Sequence, residues 1–483
     1  MISHYNKERI KRFYNYDPSK ENSIFSKAKE LLNKNISEAI SASPYRSRCL
    51  NPRSKGDIGN IIQECCFGLP ANSSELPDFP EAKIELKIIP LERTSQGLTV
   101  KERTKICSIN YHKLIKEIWP SSHAKRKLNK ILFIYYEYNA LSKLDSKIKF
   151  CDMWALNKIK EQPIIRSDWE VVKKKVEQGL AHELSETLSR ILAATRSGSG
   201  GVDQNGIARD LTTQPNSRIP ALRRAFSIKQ SYTNQRWLEL FKKDIFESII
   251  DTLPGASASN FEDKVLKKLW SFKGQKLGDF ANKLKISIPS GKNAAAAIIK
   301  KAIGFKNVNS RIKEFDQIGT EVRVLPIRTK DHKPWEAVSF SQFKFKEVIK
   351  EAWEDSELLQ FVDSILFIPI YRKAAKTPLS QRVIGKAFLW KPTKNELETI
   401  QEEWSMYLDE IKSGKAKPRK IKSGSKTKEV TSLSKESNTK IIHIRPHAKN
   451  RKDRDEDQFG NRPVKHSFWL NKAFVHELLR KNV

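Results

Sequence analysis

The stretch Asp78-Phe-Pro-Glu-Ala-Lys-Ile-Glu85-Leu-Lys87-Ile-Ile-Pro90 decides how this chain is read. Ile84, Leu86 and Ile88 alternate with charged residues, which predicts a strand over 83–91. Side chains two apart on a strand share a face, so Glu85 and Lys87 project together, opposite the apolar row. Pro77 and Pro80 bracket Asp78 and favour a turn that returns it beside Glu85. Two carboxylates and an ammonium then converge at one end of a strand. Such a trio suits phosphodiester hydrolysis. Hard oxygen ligands bind Mg²⁺, which takes substrate phosphate oxygens and lowers the pKa of an attacking water. Lys87 is placed to orient that water or to stabilise the transition state. The plain alternative is a solvated, ion-paired strand face.

Working outward, the same pattern occurs twice. Residues 76–91 lie against 312–327, with Phe79 on Phe315, Glu85 on Glu321 and Pro90 on Pro326; Gly68 and Gly304 fall at the same offset. The register continues. Trp119 answers Trp353, 131–134 answers 365–368, Asp168-Trp169 answers Glu403-Trp404, and Gly179 answers Gly414. Ordered matches at a nearly constant offset indicate duplication. The second copy keeps the apolar scaffold but reads Glu314 for Asp78, Arg323 for Lys87, Lys300 for Glu64 and Phe361 for Lys127. Core spacing belongs to the fold, so the polar set of copy one points to a function that copy two has lost.

Apolar spacing predicts helices over 24–40 and 237–253, and the run 131–136 reads as a buried strand. The fold class is therefore α/β or α+β. The expected division is a first domain at 1–253, a linker at 254–260 and a second domain at 261–483. Residues 195–201 and 412–440 read as loops rich in Gly, Ser and Lys.

Charge and composition narrow the partner. The 483 residues hold 90 Lys and Arg against 56 Asp and Glu, a net charge of +34. Hydrophobic residues reach 38%, enough for packed cores, so the charge marks a polyanion-binding folded protein rather than a disordered one. Nucleic acid is the expected partner. No apolar run suits a membrane span, and the first residues lack a signal-peptide core, so a cytosolic location is expected. Cys49, Cys65, Cys66, Cys107 and Cys151 fit no disulfide framework or zinc site and read as buried free thiols.

The motif at 78–90 resembles that of the MutH family, mismatch-repair endonucleases acting at GATC. Gly59-Asn-Ile-Ile-Gln-Glu64 resembles the family helix that supplies a further acidic residue. Glu64 is assigned from its distance to Gly68, with Gln63 as the alternative. Lys83 stands where the family usually has Gly. Arg126-Lys127-Leu-Asn-Lys130 resembles the segment carrying another functional lysine, assigned to Lys127 with Lys130 as the alternative. Near the end, 442–450 and 467–472 resemble DNA-reading elements, giving Arg445, His447, Lys449 and Trp469. The matching region of copy one offers Arg196, Arg223, Arg224 and Lys229, with Pro446 set against Ala194 and Trp469 against Ser227. These residues either read base edges or contact only phosphates.

An intact first copy with a worn second copy is similar to the Sau-type GATC restriction endonucleases. The resemblance implies tandem PD-(D/E)XK domains, the second degenerate, and Mg²⁺-dependent double-strand cleavage of DNA at 5′-GATC. The implied active centre is Asp78, Glu85 and Lys87, supported by Glu64 and Lys127, with Asp78 and Glu85 on the metal. The second copy is expected to bind a further DNA site and assist the first, or else two chains pair on DNA. A repair nickase and a non-enzymatic DNA-binding protein are the competing functions.

Overall fold

The computed structural model describes residues 4–44, 57–70, 74–94, 97–198, 204, 208–241, 245–285, 287, 294–423 and 426–483. The chain forms two compact units, Met1–Lys243 and Asp244–Val483.

In unit one the strands are β1 (Glu85–Thr94), β2 (Gly97–Val100), β3 (Thr104–Ser108), β4 (Lys130–Glu137), β5 (Lys147–Ala155), β6 (Leu192–Arg196), β7 (Leu211–Gln214), β8 (Ser217–Leu222) and β9 (Arg224–Ile228). They build a four-stranded sheet of order β2-β1-β4-β5, a three-stranded sheet β3-β9-β6 and the hairpin β7-β8. β1 and β4 run parallel with Glu85 opposite Ile131. The unbroken apolar run 131–136 is buried throughout, as a central strand covered on both faces requires.

Unit two repeats this plan. Its strands are β10 (Phe246–Glu247), β11 (Arg311–Ile312), β12 (Thr320–Arg328), β13 (Val338–Gln342), β14 (Ser364–Arg372), β15 (Val383–Ile384), β16 (Phe388–Trp390), β17 (Arg419–Ser423), β18 (Lys426–Val430), β19 (Ile442–Pro446) and β20 (His466–Leu470). β12 runs parallel to β14 with Glu321 opposite Ile365, the counterpart of Glu85 opposite Ile131. The sheet β13-β20-β19 answers β3-β9-β6. Matched tryptophans also make the same contact. Trp119 and Trp169 lie 5.6 Å apart at 53°, and Trp353 and Trp404 lie 5.5 Å apart at 56°. Gly179 and Gly414 both end their long helices at positive φ, 73° and 83°. Duplication is thus visible in the packing.

A shared clamp holds the second sheet in each unit. Asp168, on the helix Gln162–Glu177, accepts backbone N–H bonds from Arg190 (2.9 Å), Ile191 (2.7 Å) and Leu192 (2.9 Å). Glu403, on the helix Lys394–Lys412, accepts those of Lys440, Ile441 and Ile442. Each carboxylate fixes the start of the strand leading to the DNA-binding candidates, β6 or β19.

Several expectations change. The helix over 24–40 is two helices, Glu21–Lys29 and Ile36–Ala39, because Asn33 turns at φ 66° and Asn35 with Glu38 forms a capping box. The helix over 237–253 is also broken. One helix covers Gln230–Phe241, and Ile249–Thr252 is a separate turn. The division therefore falls at 243/244, not 253/254. Residues 246–253 join unit two through the β10–β11 pairing and through Glu314, which caps the turn Ile249–Thr252. Residues 254–260 are no linker; Asn260 Oδ1 accepts the Ser257 N–H at 2.8 Å on the way into the helix Phe261–Trp270. Within 412–440, the expected loop contains the antiparallel hairpin β17–β18. Cys66, Cys107 and Cys151 are buried free thiols as expected, but Cys65 is disulfide-bonded. Residues 45–56, which include Cys49, lie outside the described residues.

Candidate active site

The site grows from one tight turn. Phe79 and Ile84 exchange backbone hydrogen bonds, N–H to O at 2.9 and 3.1 Å, across residues 80–83. This antiparallel bridge sets the flanking residues, Asp78 and Glu85, side by side. Phe79 is fully buried and packs edge-on against Tyr16 and Phe67, so the turn is pinned to the core. Lys83 adopts φ 56°, the left-handed conformation that glycine takes without strain. The sequence departure at Lys83 thus has a structural counterpart.

Asp78 and Glu85 interlock. The Asp78 N–H donates to Glu85 Oε2 at 3.3 Å, and the Leu86 N–H donates to Asp78 Oδ2 at 2.9 Å. Glu85 is only 2% exposed. Lys87, two residues along β1, donates to Glu85 Oε1 at 2.6 Å. Lys127, buried at the end of the helix His123–Leu128, donates to Oε2 at 3.0 Å and Oε1 at 3.2 Å. Ser122 caps that helix by accepting the Lys125 N–H at 3.1 Å, and β4 follows directly in parallel with β1. Burial, and next the charge of Glu85, raise the Asp78 carboxyl above the usual carboxylate range. A close carboxylate pair that crowds its own charge is relieved by a cation between its oxygens.

The two candidate lysines have different partners. Lys127 reaches Glu85, whereas Lys130 pairs with Glu21. Glu64 lies in the π-helical turn Ile62–Cys66, where its carbonyl accepts from Tyr14 Oη at 3.1 Å; Gln63 turns to the Pro70 carbonyl. Among the described residues no group of three or more His, Cys, Asp or Glu gathers for a metal. Two neighbours were missed in the sequence. His123 is the residue four before Lys127 on one helix, and burial, then Lys127, lower its pKa. Lys105 on β3 feels Lys87 after its own burial, both lowering its pKa, and donates to Ser197 Oγ at 3.0 Å. The four-residue spacing signals His123; nothing local signals Lys105, which a separate sheet brings in.

Copy two has dismantled the same position. Glu314 turns away, accepting the N–H groups of Ile249 (2.7 Å) and Ile250 (3.3 Å). Glu314 is thus a helix cap and not a partner of Glu321. The acid that feels Glu321 is Asp316, and it is ion-paired with Arg311 at 2.7 Å. Arg323 pairs with Glu321 at 3.2 Å. Lys300 donates to the Ser310 carbonyl at 2.8 Å, and Phe361 stacks on Phe340 at 5.6 Å. Here the carboxylates carry guanidinium partners.

The DNA-binding candidates separate into two patterns. Arg196 is bidentate to Asp210, both bonds at 2.7 Å, and Arg224 donates to the Ala194 carbonyl at 2.8 Å. The Arg223 N–H donates to the Asp210 carbonyl at 2.7 Å. Lys229 is buried near Asp168, whose pKa it lowers against the larger effect of burial. In unit two, Arg445 lies 3.6 Å over the Trp469 ring, which is 4.9 Å from the His447 ring. The Lys449 N–H is held by Asp453 at 3.0 Å. Ser227 does stand where Trp469 stands, opposite Ala193 and His443 respectively. Pro446, however, answers Arg196 rather than Ala194, since each ends its ladder opposite the first residue of the partner strand, His466 or Arg224.

The family described as DNA mismatch repair enzyme MutH matches residues 67–168 and 303–403, which contain β1 with β4 and β12 with β14. Each half of the chain thus contains one region that matches this family. The first MutH match includes Asp78, Glu85, Lys87 and Lys127. The type II restriction enzyme Sau3AI of Staphylococcus aureus is 26% identical over 494 residues, spanning 94% of this chain and 96% of that protein. The DNA mismatch repair protein MutH of Actinobacillus pleuropneumoniae is 24% identical over 230 residues, 46% of this chain and 94% of its own length. Its Haemophilus influenzae counterpart is 26% identical over 157 residues, 32% and 70% of the two chains. The two matched regions agree with the duplication seen in the ladders.

Proposed function

We propose that this protein is a type II restriction endonuclease that makes Mg²⁺-dependent double-strand breaks in DNA at 5′-GATC. Unit one performs the chemistry, and unit two binds DNA and assists it. The observation that carries this reading is the close cluster of Asp78, Glu85, Lys87 and Lys127, whose counterpart in unit two is dispersed. A match along nearly the whole chain to a restriction enzyme, against half-length matches to repair proteins, favours double-strand cleavage over nicking.

Asp78 and Glu85 would hold the metal, and their hard oxygen donors suit Mg²⁺, which keeps several waters of its own. When bound, the ion stabilises charge on the scissile phosphate and lowers the pKa of water. Lys87 and Lys127 hold the Glu85 carboxylate fixed at the strand end. Lys87 retains 20% side-chain exposure, enough to meet a phosphate or orient a nucleophilic water. Arg445, His447 and Trp469 present a cationic and aromatic surface for DNA in unit two. No helix among the described residues is long and apolar enough to cross a membrane. We place the protein in the cytoplasm, on double-stranded DNA.

The test is a plasmid digest with Mg²⁺. Linear fragments ending at GATC support the reading; nicked circles point to a repair nickase, and a gel shift without cleavage to a binding protein. A two-site plasmid should be cut faster than a one-site plasmid, and added GATC duplex should stimulate the one-site reaction. Equal rates without stimulation remove the effector role of unit two.

A further inference from the structure

We propose that unit two binds a nucleotide in a basic cavity at the end of its parallel sheet, the end away from Glu321. The cavity measures about 820 Å³ and lies where β12 and β14 finish, at Thr329, His332, Tyr371 and Arg372. Glu321 is the second residue of β12, so the nearly full strand length separates the cavity from the former nuclease position.

The charged side chains of its lining are of one sign. Lys273, Lys276, Arg372, Lys373, Lys386 and Arg480 contribute to the wall, and no Asp or Glu does. The Arg372 guanidinium lies 4.8 Å over the Trp335 ring, with its Nε buried and without a hydrogen-bond partner. Arg382, first by burial and then by the nearby Arg372, is lowered from the ordinary arginine pKa. A second cavity of about 340 Å³ shares His476 and adds Lys333 and Lys472, together with Arg328, which is paired to Asp331.

The duplicated scaffold supplies a control. Leu91 faces Glu137 in unit one and Ile327 faces Tyr371 in unit two, so Tyr371 occupies the place of Glu137. In unit one that carboxylate is held by Arg93 at 2.6 Å and Lys149 at 3.0 Å, which balances the charge at this end of the sheet. Unit two has exchanged the carboxylate for an aromatic ring and gathered cations around it. Uncompensated like charges oppose a compact fold, so such an arrangement is suited to an anionic ligand.

The shape indicates which anion. The volume exceeds that of one phosphate and falls within the usual range of roughly 300–1,000 Å³ for small-molecule sites. Val383, Ile384 and Leu479 give it an apolar floor, and the His332 and Tyr371 rings meet edge-on at 5.4 Å. Gly385 allows this, since a Cβ there would come within 2.7 Å of the Tyr371 ring. A base fits the apolar and aromatic side, and phosphates fit the Lys and Arg rim through charge-assisted hydrogen bonds.

Calorimetric titration of the intact protein with ATP tests this independently of cleavage. Inorganic triphosphate and a duplex lacking GATC serve as comparison ligands. ATP should bind saturably and more tightly than triphosphate, and the duplex should not displace it. The double variant Lys373→Glu/Lys386→Glu should weaken ATP by about 10- to 100-fold with an unchanged melting profile. Tyr371→Leu should weaken ATP but not triphosphate. Absence of ATP binding, unaltered binding by the double variant, or displacement by the duplex would each overturn the proposal. Equal binding of triphosphate and ATP would also overturn it, in favour of a bare oligophosphate site.

Discussion

At the start of β1, Glu85 sits between two ammonium groups with Asp78 beside it; at the start of β12, Glu321 faces a guanidinium and its former partner caps a helix. Both strands keep the same parallel register to the next strand. One scaffold thus carries a gathered and a dispersed constellation of charged residues. The core is set by apolar spacing, while chemistry depends on a turn of a few residues. In unit one that turn closes through Phe79 and Ile84; in unit two the helix Lys313–Ile318 replaces it and rotates Glu314 away.

The largest contrast should come from the basic partners of the two strands. Lys87→Ala should lower the cleavage rate by about 100- to 1,000-fold, the usual loss when one charge-stabilising donor is removed. Arg323→Ala should leave the single-turnover rate of unit one unchanged. Equal losses in both variants would mean that the units share the chemistry.

The backbone clamps should behave alike in both units. Removing Asp168 or Glu403 leaves three N–H groups, two of them buried, without that acceptor. Asp168→Ala and Glu403→Ala should each destabilise their unit by about 3–5 kcal/mol in chemical denaturation. A loss below about 1 kcal/mol in either would break the parallel, as for an ordinary exposed hydrogen bond.

Acid should separate the units. His466, at the start of β20, is 1% exposed, and burial lowers its pKa from 6.5 to about 4. Its counterpart in unit one is Arg224. With the folded pKa below the unfolded one, the neutral ring contributes full stability above pH 6.5, lost as pH falls towards 4. The loss should be about 3 kcal/mol for unit two, and His466→Gln should flatten it in pH-dependent urea melts. An unchanged pH profile in the variant would remove His466 as the cause.

The smallest effect concerns Lys83. Its left-handed backbone is strained for a side chain, so Lys83→Gly should stabilise unit one by about 1 kcal/mol. A lower melting temperature in this variant would show that the side chain makes a compensating contact.

Much of this was legible in the sequence, for local reasons. The alternation of Ile84, Leu86 and Ile88 sets the strand, and the repeated Trp and Gly positions set the duplication, because apolar periodicity and turn chemistry act over a few residues. The choice of Lys127 over Lys130 needed the partner Glu21, which lies 109 residues away. The role of Glu314 was hidden because the acidic residue persists while its backbone changes from turn to helix. Lys105 reaches the site from the other sheet, and no spacing along the chain records that. The hairpin within 412–440 escaped because its lysines mask the alternation; in the structure Glu429 of β18 pairs with Arg454 at 2.9 Å. The unit boundary escaped because the strand β10 that joins 246–247 to unit two is only two residues long.

The central claim is that chemistry resides in unit one alone, at Glu85, while Glu321 keeps only the fold's position. It is tested most directly by comparing Glu85→Ala with Glu321→Ala in one plasmid cleavage assay with Mg²⁺, with DNA binding followed in parallel by gel shift. Glu85→Ala should bind DNA and cut nothing, and Glu321→Ala should cut at the unmodified single-turnover rate. Cleavage by Glu85→Ala, or its loss in a folded, DNA-binding Glu321→Ala, would contradict the account.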